Sequence, residues 1–121
     1  MGYDLEPRNK SLEFFHFNTF AWPVLVESFG MMYPWYKYGI GYVSPDGTYP
    51  LILSNEGFKV SANEARMMAR MATNFVNLQR ALPENWNIEN GKIYKKIRSD
   101  FVDLFEKFAS WAERSNGFKI N

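Results

Sequence analysis

The sequence predicts an α+β domain, with a small antiparallel sheet, one short N-terminal helix and two long helices at about 61–82 and 91–116. Three observations carry this. Ser61 and Glu64 stand three apart, the spacing of a capping box, ahead of about twenty mostly helix-favouring residues with no Gly or Pro until Pro83. Ile93, Ile97, Phe101, Leu104, Phe108 and Trp111 recur at helical spacing, widened by Phe105 and Ala112. The rest of the chain falls into short apolar runs set between turn residues.

In chain order, residues 1–10 are polar, contain Pro7 and read as an extended lead-in. Aromatic residues on both alternating faces of 11–17 suggest a strand buried on two sides. Asn18 or Thr19 is placed to cap a helix running to about Phe29, with Pro23 in its first turn and Gly30 as its stop. Pro34 interrupts regular structure in 31–38, whose aromatic residues fall on a loop or an edge. Ile40–Val43 reads as a strand, Ser44–Gly47 as a tight turn, and Thr48–Leu53 as the antiparallel partner, kept at an edge or bulge by Pro50. Ser54–Gly57 is a second turn, and Phe58–Val60 an extended approach to the long helix. In that helix Ala65, Met68, Ala69, Ala72 and Val76 form one apolar row; Met67, Met71, Phe75, Leu78 and Leu82 form another. The polar remainder is a stripe of Arg66, Arg70, Thr73, Asn77 and Arg80. Pro83–Gly91 is a polar connection with Trp86 tucked onto the core. The second long helix turns Lys95, Lys96, Asp103, Glu106, Lys107 and Glu113 to water, ends at Gly117, and leaves Phe118–Ile120 for a last strand.

Length limits the chain to a single domain, 1–121. Eleven Phe, seven Tyr and four Trp provide a ring-built core, or rings to spare for a site or an oligomer interface. A net charge of +1 without long runs of one sign argues against a protein dedicated to DNA or RNA duplexes. With no cysteine and one histidine, neither thiolate chemistry nor the usual zinc ligand set is available. The charged N-terminus is unlike a signal peptide, and no apolar run approaches a membrane span, so a cytoplasmic protein is expected.

Nucleophile elbows, phosphate-binding glycine loops and dinucleotide fingerprints are absent. Arg66 and Arg70 lie one turn apart, and Arg80 is rotationally close. Guanidinium groups can hold a phosphate or carboxylate bidentately, with Asn77 between them as a hydrogen-bonding residue. The competing reading is a solvated face whose arginines pair with acids. Trp35, Tyr36 and Tyr38 are candidates to stack on a flat ligand, or else cover the core edge. His16 is either an aromatic-like filler with a backbone partner, or else a general base or a ligand-binding residue.

The segment SNEGFKVSANEARMMA, with FAWPVLVE and the closing SNGFKI, resembles a family of small bacterial and phage-encoded proteins. Their shared features are S-N-x-G-x-x-V-S-A-x-E-A and a C-terminal G-F-x-I. The resemblance covers about half the chain and implies no catalytic residue. In size and character the chain is also similar to phage anti-defence proteins that sequester nucleotide immune signals. The expected function is therefore a non-catalytic binding protein for a small anionic, nucleotide-like ligand, needing no cofactor or metal. It is expected to act as a homo-oligomer, because a helix apolar on two sides needs covering on both, in a bacterial or phage-infected cell. The alternatives are a protein-interaction or inhibitor protein using the aromatic patch, and an enzyme using His16 with a carboxylate.

Overall fold

A computed structural model describes residues 2–32, 51–53, 56–82 and 96–121. The elements are β1 (Gly2–Pro7), β2 (Phe15–Asn18), α1 (Ala21–Met32), a 3₁₀ turn (Leu51–Leu53), β3 (Phe58–Val60), α2 (Ala62–Ala81), α3 (Ser99–Ser115) and β4 (Phe118–Ile120). The four strands form one antiparallel sheet in the order β2-β1-β4-β3. The architecture is the expected α+β class, with a small antiparallel sheet carrying three helices.

Alternation along the strands decides which face the helices cover. Leu5, Phe17, Val60, Phe118 and Ile120 are buried, while Asp4, His16 and Lys59 between them are exposed. On the inner face the rings interlock. Phe17 lies 5.1 Å from Trp22 of α1 and 5.4 Å from Phe108 of α3, and Phe118 lies 5.4 Å from Trp111, centroid to centroid. Trp22 is fully enclosed, and its indole N–H donates to the Ile52 carbonyl at 2.9 Å, which fastens the 3₁₀ turn to α1. The Tyr3 hydroxyl does the same to the Leu53 carbonyl at 2.9 Å. Burial raises the Tyr3 pKa above that of a free phenol.

Several elements differ from the sequence expectation. The lead-in at 1–10 contains a full strand, β1, in the middle of the sheet. Its charges at Asp4 and Glu6 fall on the outer face, and Tyr3, Leu5 and Pro7 point inward. The strand expected at 11–17 forms only from Phe15, because Asn9 builds a turn first. Its Oδ1 accepts from the Ser11 N–H at 3.1 Å, and the Leu12 N–H reaches the Asn9 carbonyl at 3.1 Å. Asn18 caps α1, with Oδ1 accepting from Ala21 N–H at 2.7 Å, but the helix continues through Gly30 to Met32. Leu51–Leu53 is a 3₁₀ turn and not the end of a strand. The second long helix begins at Ser99. Ahead of it the Ile97 N–H donates to the Gln79 side-chain carbonyl at 2.8 Å and Lys96 Nζ to the Leu82 carbonyl at 2.9 Å, which pins 96–97 against the end of α2. The strand at 40–43, the turn at 44–47, residues 48–50 and the connection bearing Trp86 lie outside the described residues.

α2 forms where its capping box places it. Ser61 Oγ accepts from the Glu64 N–H at 3.2 Å, and the Glu64 carboxylate accepts from the Ser61 N–H at 3.0 Å. Ser61→Ala is expected to cost about 1 kcal/mol, read as a fall of a few degrees in melting temperature with unchanged circular dichroism. Its first apolar row is buried as expected. The second is covered only in part, since Met71 and Phe75 are buried while Met67 is 42% exposed. At the far end of the chain α3 stops at Asn116 (φ 60°) and Gly117 (φ 96°), the left-handed C-terminal cap expected there.

Candidate functional site

α2 and α3 pack side by side along most of their length, held by contacts such as Phe75 on Phe105, 6.1 Å between centroids. Where Ala69 faces Ala109, neither side chain fills the space between the two helices. A groove of about 420 Å³ opens above them. Arg70, Thr73 and Asn74 of α2 form one wall; Glu106, Ser110 and Glu113 of α3 form the other. The Thr73 hydroxyl donates to the Ala69 carbonyl at 2.9 Å, which turns its oxygen lone pairs outward. The Arg70 guanidinium has no hydrogen-bond or ion-pair partner among the described residues.

The three arginines share one side of α2 but do not meet. Arg70 and Arg80 are ten residues apart, about 15 Å along the axis. Arg80 reaches across to α3, hydrogen-bonding Glu106 and, at 3.2 Å, Asp103. That hydrogen bond to Glu106, with the two carboxylates' charge, raises the Arg80 pKa further. In return Arg80, first by its hydrogen bond and then by its charge, holds the Glu106 carboxyl below its ordinary pKa. The linkage sign follows. Glu106 contributes its stability above the ordinary carboxylate range and loses it as pH falls through the depressed value. Both groups are exposed to solvent, so the pair orients Arg80 more than it stabilises the fold. Arg66, one turn before Arg70, hydrogen-bonds Asn63, and Asn77 is exposed further along the stripe.

A second hollow, about 530 Å³, lies at the end of α2, bordered by Gln79, Arg80, Lys96, Arg98 and Asp103. Its cations are committed, with Arg98 held by Asp100 at 2.7 Å, Lys96 on the Leu82 carbonyl and Arg80 on its two acids. Comparison with known families, curated proteins and solved structures finds no match. The groove at Arg70 therefore has to be read from its own chemistry. The Arg70 guanidinium can grip a phosphate or carboxylate through two parallel hydrogen bonds. Glu113, with no ion-pair partner among the described residues, can accept from an amino group at the other end, over a floor of two alanines.

His16 stands apart from this groove, on the outer face of the sheet. It is exposed, and its Nδ1 lies 2.6 Å from Asp4 Oδ1, so it is not the buried filler with a backbone partner. Trp35, Tyr36 and Tyr38 lie outside the described residues. Glu106 and Glu113, expected only to face water, also build the groove wall. No sequence signal marks them, because their role depends on which side α3 turns to α2. Among the described residues no three His, Cys, Asp or Glu side chains gather as a metal site, and no helix is long and apolar enough to cross a membrane.

Proposed function

We propose that this protein is a non-catalytic binding protein for a small anionic, nucleotide-like ligand seated in the α2–α3 groove. The observation that carries the reading is the Arg70 guanidinium, without a partner among the described residues, beside a groove with hydrogen-bonding walls and an apolar floor. A phosphate takes Arg70, with Arg66 adjacent. The amino edge of a base takes the Glu113 carboxylate, and Thr73 and Asn74 serve the sugar. A ligand with only negative charge fits less well, because the α3 wall is acidic. Sequestration of a nucleotide signal, in a bacterial or phage-infected cell, is the role that the resemblance to phage anti-defence proteins supports.

Homo-oligomerisation belongs to the same proposal. It is supported by the part of the second apolar row that stays uncovered, Met67 above all. A native mass spectrum reads the subunit number directly.

A thermal-shift panel of nucleoside monophosphates and cyclic dinucleotides tests the groove. A ligand bound only by the native state raises the melting temperature. The expected result is stabilisation by at least one nucleotide, reduced at least tenfold in apparent affinity by Arg70→Ala, since hydrogen bonds to charged groups contribute about 1.5–3 kcal/mol. Stabilisation by none of them would count against the proposal.

One observation favours a second reading, a protein-interaction protein. Phe20 and Phe14, on either side of β2, are 75% and 49% exposed. A stoichiometric partner whose binding is lost in Phe20→Ser, with the nucleotide panel empty, is the result that reading expects.

A further inference from the structure

The outer face of the sheet carries a charge arrangement that the groove does not use. Lys59 of β3 and Lys119 of β4 are direct antiparallel partners, and Glu6 of β1 is the partner of Lys119 on its other side. Neighbouring strands run about 4.8 Å apart, so the two lysines stand shoulder to shoulder, an arrangement that destabilises a sheet unless an anion answers it. Glu6 answers only Lys119, at 3.6 Å. Arg8 follows directly after β1, its backbone N–H fixed to the Gly117 carbonyl at 2.9 Å, and Lys10 lies on the turn beyond it. Together these residues border a hollow of about 170 Å³ with four cations and one carboxylate, in a chain whose net charge is only +1. The side chains of Arg8, Lys10 and Lys59 have no hydrogen-bond or ion-pair partner among the described residues.

We propose that this face is a binding site for an oligophosphate, an anion with two or more linked phosphate groups, held by Arg8, Lys10, Lys59 and Lys119. It is independent of the groove between α2 and α3. Linked phosphates place several charges within the reach of side chains on β3, on β4 and on the segment just after β1, and the Arg8 fork takes one of them bidentately. The patch is bounded. Asp4, the outward residue before Glu6 on β1, is exposed, so an extended polyanion laid along β1 would run onto two carboxylates. A compact anion lying toward β3 avoids them.

Titration of ¹⁵N-labelled protein with sodium tripolyphosphate, followed by amide shifts, tests the site. Saturable shifts at Arg8, Lys59, Gly117 and Lys119 are expected. Affinity should fall at least tenfold in the double variant Lys59→Gln, Lys119→Gln and stay unchanged in Lys107→Gln, on the exposed side of α3. The double variant's own amide spectrum shows whether it is folded. Relief of the lysine pair predicts that without ligand it melts no lower than the parent. Orthophosphate is expected to bind at least tenfold more weakly than tripolyphosphate. Equal affinity for orthophosphate, tighter binding of a single-stranded oligonucleotide of equal charge, or no shifts at the sheet face would each overturn the proposal. Shifts confined to Arg70 and Thr73 would overturn it too, while leaving the groove reading intact.

Discussion

Phe108→Ala is expected to destabilise the protein by about 3–5 kcal/mol, the range for removing a fully buried ring. Phe108 is where the three packing directions meet. Its ring centroid lies 5.4 Å from Phe17 and 5.8 Å from Phe15 on β2, 5.6 Å from Trp22 on α1, 6.1 Å from Phe118 on β4 and 6.3 Å from Trp111 one turn along α3. Those neighbours belong to different elements, so they cannot all close on the vacancy together, and the cavity cost adds to the lost burial. A domain of this size has about 5–15 kcal/mol in total, so the variant is expected to lose at least about a fifth of its stability and, at the low end of that range, all of it. Urea unfolding followed by tryptophan fluorescence checks this through a lowered midpoint. A loss below 1 kcal/mol would mean that the ring is not the centre of the core.

Gly117→Ala carries the second large effect, through the backbone. Gly117 has φ 96°, and a Cβ there would lie 2.7 Å from the Val60 carbonyl oxygen, 3.0 Å from the Ala62 nitrogen and 3.1 Å from the Ser61 carbonyl carbon. All three atoms are main chain, at the junction of β3 with α2, and cannot rotate away. The conformation alone costs an L-residue about 1–3 kcal/mol, and the contacts add to it. The expected outcome is a loss of at least 2 kcal/mol in urea unfolding. The damage should spread to the β3–β4 pairing and the start of α2, visible as faster amide exchange at Val60 and Glu64. Asn116→Gly, at φ 60° in the preceding position, removes strain instead and is expected to be neutral or mildly stabilising.

What the sequence made legible is local. The Ser61–Glu64 box, the Asn18 cap and the Asn116-Gly117 stop are each complete within a few residues, and each forms as expected. β1 was hidden because its partners are β2 and the chain-distant β4, and its alternation of Tyr3, Leu5 and Pro7 with Asp4 and Glu6 resembles a polar tail until a sheet receives it. The spacing of Ile93 and Ile97 continues the helical pattern and so predicts an earlier start for α3, whereas Gln79 and Leu82 at the end of α2 hold 96–97 in another conformation. The arginine stripe was visible as a stripe. That Arg80 would be taken by Asp103 and Glu106, and Arg70 left beside a groove, depends on the rotation of α3 against α2, which periodicity in either helix leaves open.

The central claim is that Arg70 presents a free guanidinium to a ligand in the α2–α3 groove. Isothermal titration with the nucleoside monophosphate or cyclic dinucleotide that most raises the melting temperature tests it directly, on the parent protein, Arg70→Ala and the Lys59→Gln, Lys119→Gln double variant. Saturable binding to the parent and the double variant, weakened at least tenfold in Arg70→Ala, is the expected result. Equal affinity of Arg70→Ala and the parent, or heat lost only in the double variant, would contradict the claim.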